Sequence, residues 1–213
     1  LQESVFACLQ PLNPEGRAIL HFDAWDYYYT TRLPVLMMPR DQYADIVALA
    51  RRFRAPVLAN HMMLDRKHPD FVQAWRHDPR IALVAQPFAP IQIFQFLYPE
   101  CAGQDFDELQ LARNHSRTGI ALDRAADGIA DKNAREAMRE GAQVELRKAA
   151  TLAPQVPDAH YNLALVLRGR GKTAEALAEV ETALRLRPGD AKALALIRLL
   201  GEERAAPSPP PSR

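Results

Sequence analysis

The chain is short of the residues that usually announce chemistry. It has two cysteines, Cys8 and Cys101, too few for a disulfide framework. They would pair only in an oxidising compartment and otherwise read as buried thiols. Glycine is scarce, nine residues, and none forms the G-x-G-x-x-G turn that cradles a dinucleotide phosphate. No serine stands in a G-x-S-x-G elbow. No apolar run approaches the ~18 residues needed to cross a bilayer, and no charged n-region leads into an apolar h-region, so no signal peptide is expected. An excess of one charge is missing too. Lys and Arg number 27 against 26 Asp and Glu, which argues against a nucleic-acid partner, because that footprint needs clustered cations. Arg51, Arg52 and Arg54 do cluster, and they read as a solvated helix face. The chain opens at Leu1 instead of Met, as an excised soluble piece of a longer protein would.

What is present is enough apolar material, 48% of 213 residues, to bury a sizeable core in one or two domains. Residues 1–12 suggest a short amphipathic helix ended by Pro14 and Gly16. Strands are expected at 18–22, 34–38, 55–60, 80–86 and 91–97, and the aromatic run 24–30 reads as a turn or short helix. Between the second and third strands, residues 41–54 place Tyr43, Ile46, Val47, Ala50 and Phe53 on one helical stripe, with Asp41 as N-cap. A helix from Pro69 to His77 would bury Phe71, Val72 and Trp75. Strands alternating with helices imply a mostly parallel sheet. The last two strands read as an antiparallel hairpin, and the partial alternation of 91–97 suits a half-exposed edge. Residues 99–118 read as a connection with a helical turn near 106–111, and the Pro/Ser-rich end, 205–213, as disordered.

Two clusters could suggest metal or hydrolytic chemistry: His21, Asp23 and Asp26, and His61, Asp65 and His68. Neither spacing matches a compact ligand motif, so neither a metal nor a cofactor is expected, and no catalytic residue is assigned. Cys8 lacks an evident base. A small hydrolase using His21, Asp23 or His61 is the third functional reading.

Residues 157–190 carry the clearest pattern. Asn162-Leu163-Ala164 lies on a first helix, Gly171 at a tight turn, Ala176 and Ala183 on a second helix, and Pro188 at its end. Small side chains at 164 and 176 let antiparallel helices approach, and larger ones would overpack the contact by roughly 1–3 kcal/mol. Leu163, Leu167, Leu177, Val180 and Leu184 supply the filling. This stretch resembles a tetratricopeptide repeat, whose period is ~34 residues. One period earlier, Ala142, Leu146, Ala149 and Pro154 occupy the equivalent places, so 139–154 is expected as the second helix of a preceding repeat. Its first helix is expected within 120–136, where Asn133 departs from the pattern. Residues 191–203 are expected to cap the array, and helical hairpins should run from about Asn133 to Leu200. The resemblance implies a protein or peptide partner held by Tyr161, Leu165, Arg168 and Lys192, or packing and dimerisation alone.

Residues 18–97 carry a second pattern. A strand (AILHF) leads through Asp23-Ala24-Trp25 into Tyr27-Tyr28-Tyr29-Thr30-Thr31-Arg32. A strand ending at Pro39, a helix and an I-x-I-F strand follow. This resembles the extracytoplasmic C-terminal domain of multi-spanning glycosyltransferases that use polyprenyl-phosphate sugars. It departs from that pattern at Leu33 and at Asn60-His61-Met62. The resemblance implies that catalytic carboxylates belong to a membrane part outside this chain. Trp25, Tyr28 and Arg32 would then meet that part, a lipid-linked sugar or the acceptor.

The expected organisation is an α/β domain at 1–104, all-α tetratricopeptide-type hairpins at 105–204 and a tail at 205–213. The leading functional reading is a non-catalytic extracytoplasmic, periplasmic domain of a membrane glycosyltransferase with a repeat module for partner or acceptor binding. The second is a stand-alone repeat scaffold, which would be cytoplasmic.

Overall fold

A computed structural model describes residues 12–13, 15–21, 33–37, 42–60, 69–88, 91–97 and 107–205. The helix expected over 1–12 (apart from Leu12), the aromatic run 24–30, Asp41 and the tail beyond 205 lie outside them. The order is β1 (Ile19–His21), β2 (Val35–Met37), α1 (Tyr43–Arg52), β3 (Val57–Asn60), α2 (Pro69–Ala74), β4 (Ile81–Phe88) and β5 (Ile91–Phe96). Five helices follow: α3 (Glu108–Asp127), α4 (Lys132–Leu152), α5 (Pro157–Gly169), α6 (Thr173–Leu186) and α7 (Ala191–Ala205). Among the described residues no helix is long and apolar enough to cross a membrane.

The five strands form one sheet in the order β2-β1-β3-β5-β4. It is mixed, where the alternation of elements implies a mostly parallel sheet. β1 runs parallel to β2 and to β3, but β5 is antiparallel to both β3 and β4. The cause is the expected β4–β5 hairpin, whose two-residue connection forces reversal. Its second strand then inserts beside β3. β5 is therefore interior and not the half-exposed edge its glutamines suggest. Ile93 packs with Ile19 and Val57 on one face, while Phe94 and Phe96 join Leu20, Leu58 and Leu83 on the other.

That second face carries the main core. Ile46 and Ala50 of α1, Phe71 of α2 and Trp75 cover it. Phe94 receives Phe71 and Trp75 edge-on, with ring centroids 5.3 and 5.1 Å away, the arrangement favoured by the ring quadrupoles. The stripe expected on α1 holds in part: Tyr43 and Val47 are half-buried, but Phe53 is 48% exposed. Phe53 lies past the last helical turn, where the chain bends through Arg54 at φ 50°, so its side chain has left the stripe. Gln42 takes the N-cap place, its N–H donating to Asp45 at 3.2 Å. Arg51, Arg52 and Arg54 are exposed, as read.

The connection expected over 99–118 contains most of a helix instead. α3 starts at Glu108 behind Asp107, whose carboxylate accepts the Gln110 N–H at 2.6 Å. Its buried positions are Ala112, His115, Gly119, Leu122 and Ala126. They keep helical spacing, but small and polar side chains give hydropathy little to register. The first helix of the preceding repeat is accordingly α3, ending at Asp127, and not a helix within 120–136. Asn133 stands in the first turn of α4. α4 begins at Lys132, seven residues before the expected 139, and ends at Leu152, while α5, α6 and α7 fall where the repeat reading puts them. α4 buries Ala142, Leu146 and Ala149, α6 buries Ala176, Val180 and Ala183, and α7 covers α6 with Ala193, Leu196 and Leu200. Gly171 makes its turn at φ +72°, a conformation other residues adopt at a cost.

The helices and the sheet share one continuous apolar cluster that runs from Leu20 to Leu200. Close approach is built into two glycines. A Cβ at Gly119 would lie 2.6 Å from Leu146 Cγ and 3.0 Å from the Ala142 oxygen, and one at Gly141 would lie 2.6 Å from Leu83 Cδ2. The missing methyls let α3 meet α4, and α4 meet β4.

Candidate partner-binding face

The residues expected to hold a partner sit on α5 and α7. Pro157 starts α5 at a position where its missing N–H costs nothing. Tyr161, Leu165 and Arg168 follow at helical spacing, so all three share one side. Asp190 starts α7, its Oδ1 accepting the N–H groups of Lys192 and Ala193 at 2.9 and 3.1 Å. The Ala193 N–H, followed by the Arg187 and Lys192 contacts, outweighs partial burial and holds the Asp190 carboxyl below its ordinary value.

Tyr161 and Lys192 are brought together. They line one shallow depression of about 610 Å³ with Asp158, Asn162, Arg187 and Asp190. Arg187 Nη1 bridges its acidic rim, 2.9 Å from Asp158 and 3.1 Å from Asp190. Those carboxylates keep the guanidinium charge firmly in place. Asn162 reaches across to Ser116 Oγ of α3 at 3.4 Å, linking the first helices of successive hairpins. Leu165 is 37% exposed and offers an apolar contact. Arg168 differs from the other three, because its Nε and Nη2 both donate to Glu203 Oε1 of α7, at 2.9 and 2.7 Å. It ties α7 to α5 and presents a satisfied ion pair. The arrangement can receive an extended chain: an aromatic ring, an apolar step and mixed charges, with no reactive pair.

The other sequence candidates divide. His21 ends β1 and is buried. Asp23, Asp26, His61, Asp65 and His68 lie outside the described residues, as do Trp25, Tyr28, Arg32, Cys8 and Cys101. Among the described residues no three His, Cys, Asp or Glu side chains group as a metal site would need.

Sequence reasoning missed a buried polar network between α3, α4 and β4. Glu145 and His115 are fully buried. Glu145 Oε1 accepts the Leu83 N–H at 3.1 Å, and its Oε2 lies 2.6 Å from His115 Nδ1. His115 Nε2 lies 2.5 Å from the Pro79 oxygen. An oxygen thus stands at each ring nitrogen. Lys148 donates to the Ile81 oxygen at 2.6 Å and lies 3.4 Å from Glu145. Burial pushes its ammonium below the usual lysine value, against the pull of Glu145. A signal for the network existed. Glu145 falls on the same stripe as Ala142 and Ala149, and a charge on an apolar stripe marks a buried, partnered group.

No curated protein matches the chain. Residues 157–190, spanning α5, the Gly171 turn and α6 as far as Asp190, match the family model of the tetratricopeptide repeat, and such repeats generally mediate protein or peptide binding.

Proposed function

We propose that this chain is a non-catalytic interaction domain whose α5–α7 face holds a protein or peptide partner. The observation that carries the reading is the convergence of Tyr161, on the first helix of the matched repeat, and Lys192, on the helix that follows it, at one open depression beside exposed Leu165. The finer reading follows the resemblance of residues 18–97. The parent protein is a membrane glycosyltransferase, this part lies on its extracytoplasmic side, and the repeat face receives the acceptor or a partner protein. Trp25, Tyr28 and Arg32 are the residues assigned to its membrane part.

Two experiments separate these levels. Affinity capture with the wild-type chain should recover a partner that Tyr161→Ala/Lys192→Glu loses while its thermal unfolding stays unchanged. Equal recovery by the variant removes the face from the proposal. Reading the complete gene tests the parent. Several transmembrane helices encoded upstream support the glycosyltransferase, and their absence leaves a scaffold using the same face.

A further inference from the structure

A second cleft, of about 570 Å³, opens where the 75–80 turn, α4 and the α5–α6 turn meet. Its lining holds Arg76, Arg147, Lys148, Arg170 and Lys172 against one carboxylate, Glu140. Each cation has a protein partner, and two of the partners are shared. Glu175 serves both Arg147, at 3.0 Å, and Lys172, at 3.6 Å. Glu145 is divided between Lys148 and His115. Arg76 holds Glu140 at 2.7 Å, and Arg170 holds Glu136 at 2.8 Å. Deepest lies Lys148, 6% exposed, its Nζ 5.0 Å from the Trp75 ring centre, with the Arg76 guanidinium at the same ring. Two cations lie at one ring, and of the carboxylates that pair with the five cations only Glu140 lines the cleft itself.

We propose that this cleft binds a compact phosphate or diphosphate group, on a free small molecule or on a lipid headgroup. Three guanidiniums offer forked donors that match phosphate oxygens in pairs, and Lys148 and Lys172 add point charges. The volume lies in the small-ligand range. The exposed ion pairs at Arg147 and Lys172 are worth little individually, so their donors can turn to a ligand without unfolding anything. The site is separate from the α5–α7 face and does not depend on what that face binds.

The test is calorimetric titration of the full chain with sodium pyrophosphate at low ionic strength. One saturable site is expected, weakening as sodium chloride is raised. Arg147→Ala/Lys172→Ala, at one exposed and one half-buried position, should bind about tenfold or more weakly, ~1.4 kcal/mol per decade. Arg76→Ala should also weaken binding, while Arg198→Glu, an exposed change on α7, should leave it intact. Sedimentation with phosphatidylcholine vesicles containing phosphatidic acid assigns the source. Co-sedimentation that the double variant loses identifies a headgroup, and pyrophosphate binding without it identifies a free ligand. The proposal fails if pyrophosphate gives no saturable heat, if the double variant binds as tightly as wild type, or if an oligoglutamate peptide binds there in preference.

Discussion

Replacing Glu145 by leucine should be among the most damaging single changes in the chain. The carboxylate is fully buried and answers three groups at once: the Leu83 N–H, His115 and Lys148. Leucine fits the space but accepts nothing. The orphaned Leu83 N–H alone costs about 1–3 kcal/mol. Removing one side of a buried ion pair, here leaving Lys148 and His115 without their carboxylate, costs about 3–5 kcal/mol. These overlap, so the expected net loss is about 3–5 kcal/mol, a large share of the roughly 5–15 kcal/mol that holds a domain folded. Equilibrium unfolding in urea followed by circular dichroism reads it directly. With a slope of roughly 1–3 kcal/mol per molar, the midpoint should fall by about 1–5 M. Glu145→Gln keeps an acceptor for Leu83 and should fall between leucine and wild type. The triple change His115→Leu/Glu145→Leu/Lys148→Met should recover part of the loss, because no charge is then stranded, but not all of it, because the backbone groups of Leu83 and Ile81 stay unanswered. The reasoning is refuted if Glu145→Leu unfolds within about 0.5 kcal/mol of wild type, the range of ordinary surface changes, or if the triple variant is worse than the single one.

The two tight glycines should rank by what they meet. Gly119→Ala drives a methyl into Leu146 Cγ and the Ala142 carbonyl, so backbone must shift. Its cost of about 1–3 kcal/mol should exceed the ~1 kcal/mol gained in helix propensity. Gly141→Ala meets chiefly the tip of Leu83, which can rotate, so its melting temperature should drop less, and the reverse order would contradict the packing. Asp78 sets an acid limit. Burial raises its carboxyl, but hydrogen bonds from Arg80 and from Tyr43 Oη at 2.8 Å hold it below the usual value. A depressed acid stabilises above its unfolded value of about pH 4, and that contribution is lost as pH falls through the folded value. Asp78→Asn should therefore be less stable than wild type at pH 7 and converge with it below about pH 4, and a gap that persists at lower pH would exclude this linkage.

The repeat was legible because its signal is local. Small residues at 164 and 176, a glycine at a left-handed turn and a proline after a helix are each dictated within one hairpin, and α5, α6 and α7 fall where those residues put them. The strands were legible as well, since apolar runs bounded by proline mark them. Their order was not. Nothing within 91–97 tells that β5 inserts between β3 and β4, because that depends on partners more than thirty residues away. α3 was hidden by its composition, with alanine, glycine and histidine facing inward where leucine would have been noticed. The repeat resemblance had already put Tyr161 and Lys192 on one face, but the second cleft escaped, because Arg76 meets Lys148 only after separate elements dock. One regularity was available and unread. Glu179 stands one repeat after Glu145 and also engages a histidine, His160, at 2.7 Å, whose other nitrogen faces the Pro154 oxygen at 3.0 Å. The same clamp locks both hairpins.

The outer row of β4 is answered by a carboxylate and an ammonium instead of another strand. Those two side chains arrive late, 62 residues after Leu83 and 67 after Ile81. At a synthesis rate of about 5–20 residues per second, a nascent chain carries that row uncovered for roughly 3–13 s. An unpaired strand edge is a template for pairing with another chain. Completion of α4 is thus the moment at which this edge first gains the groups that answer it.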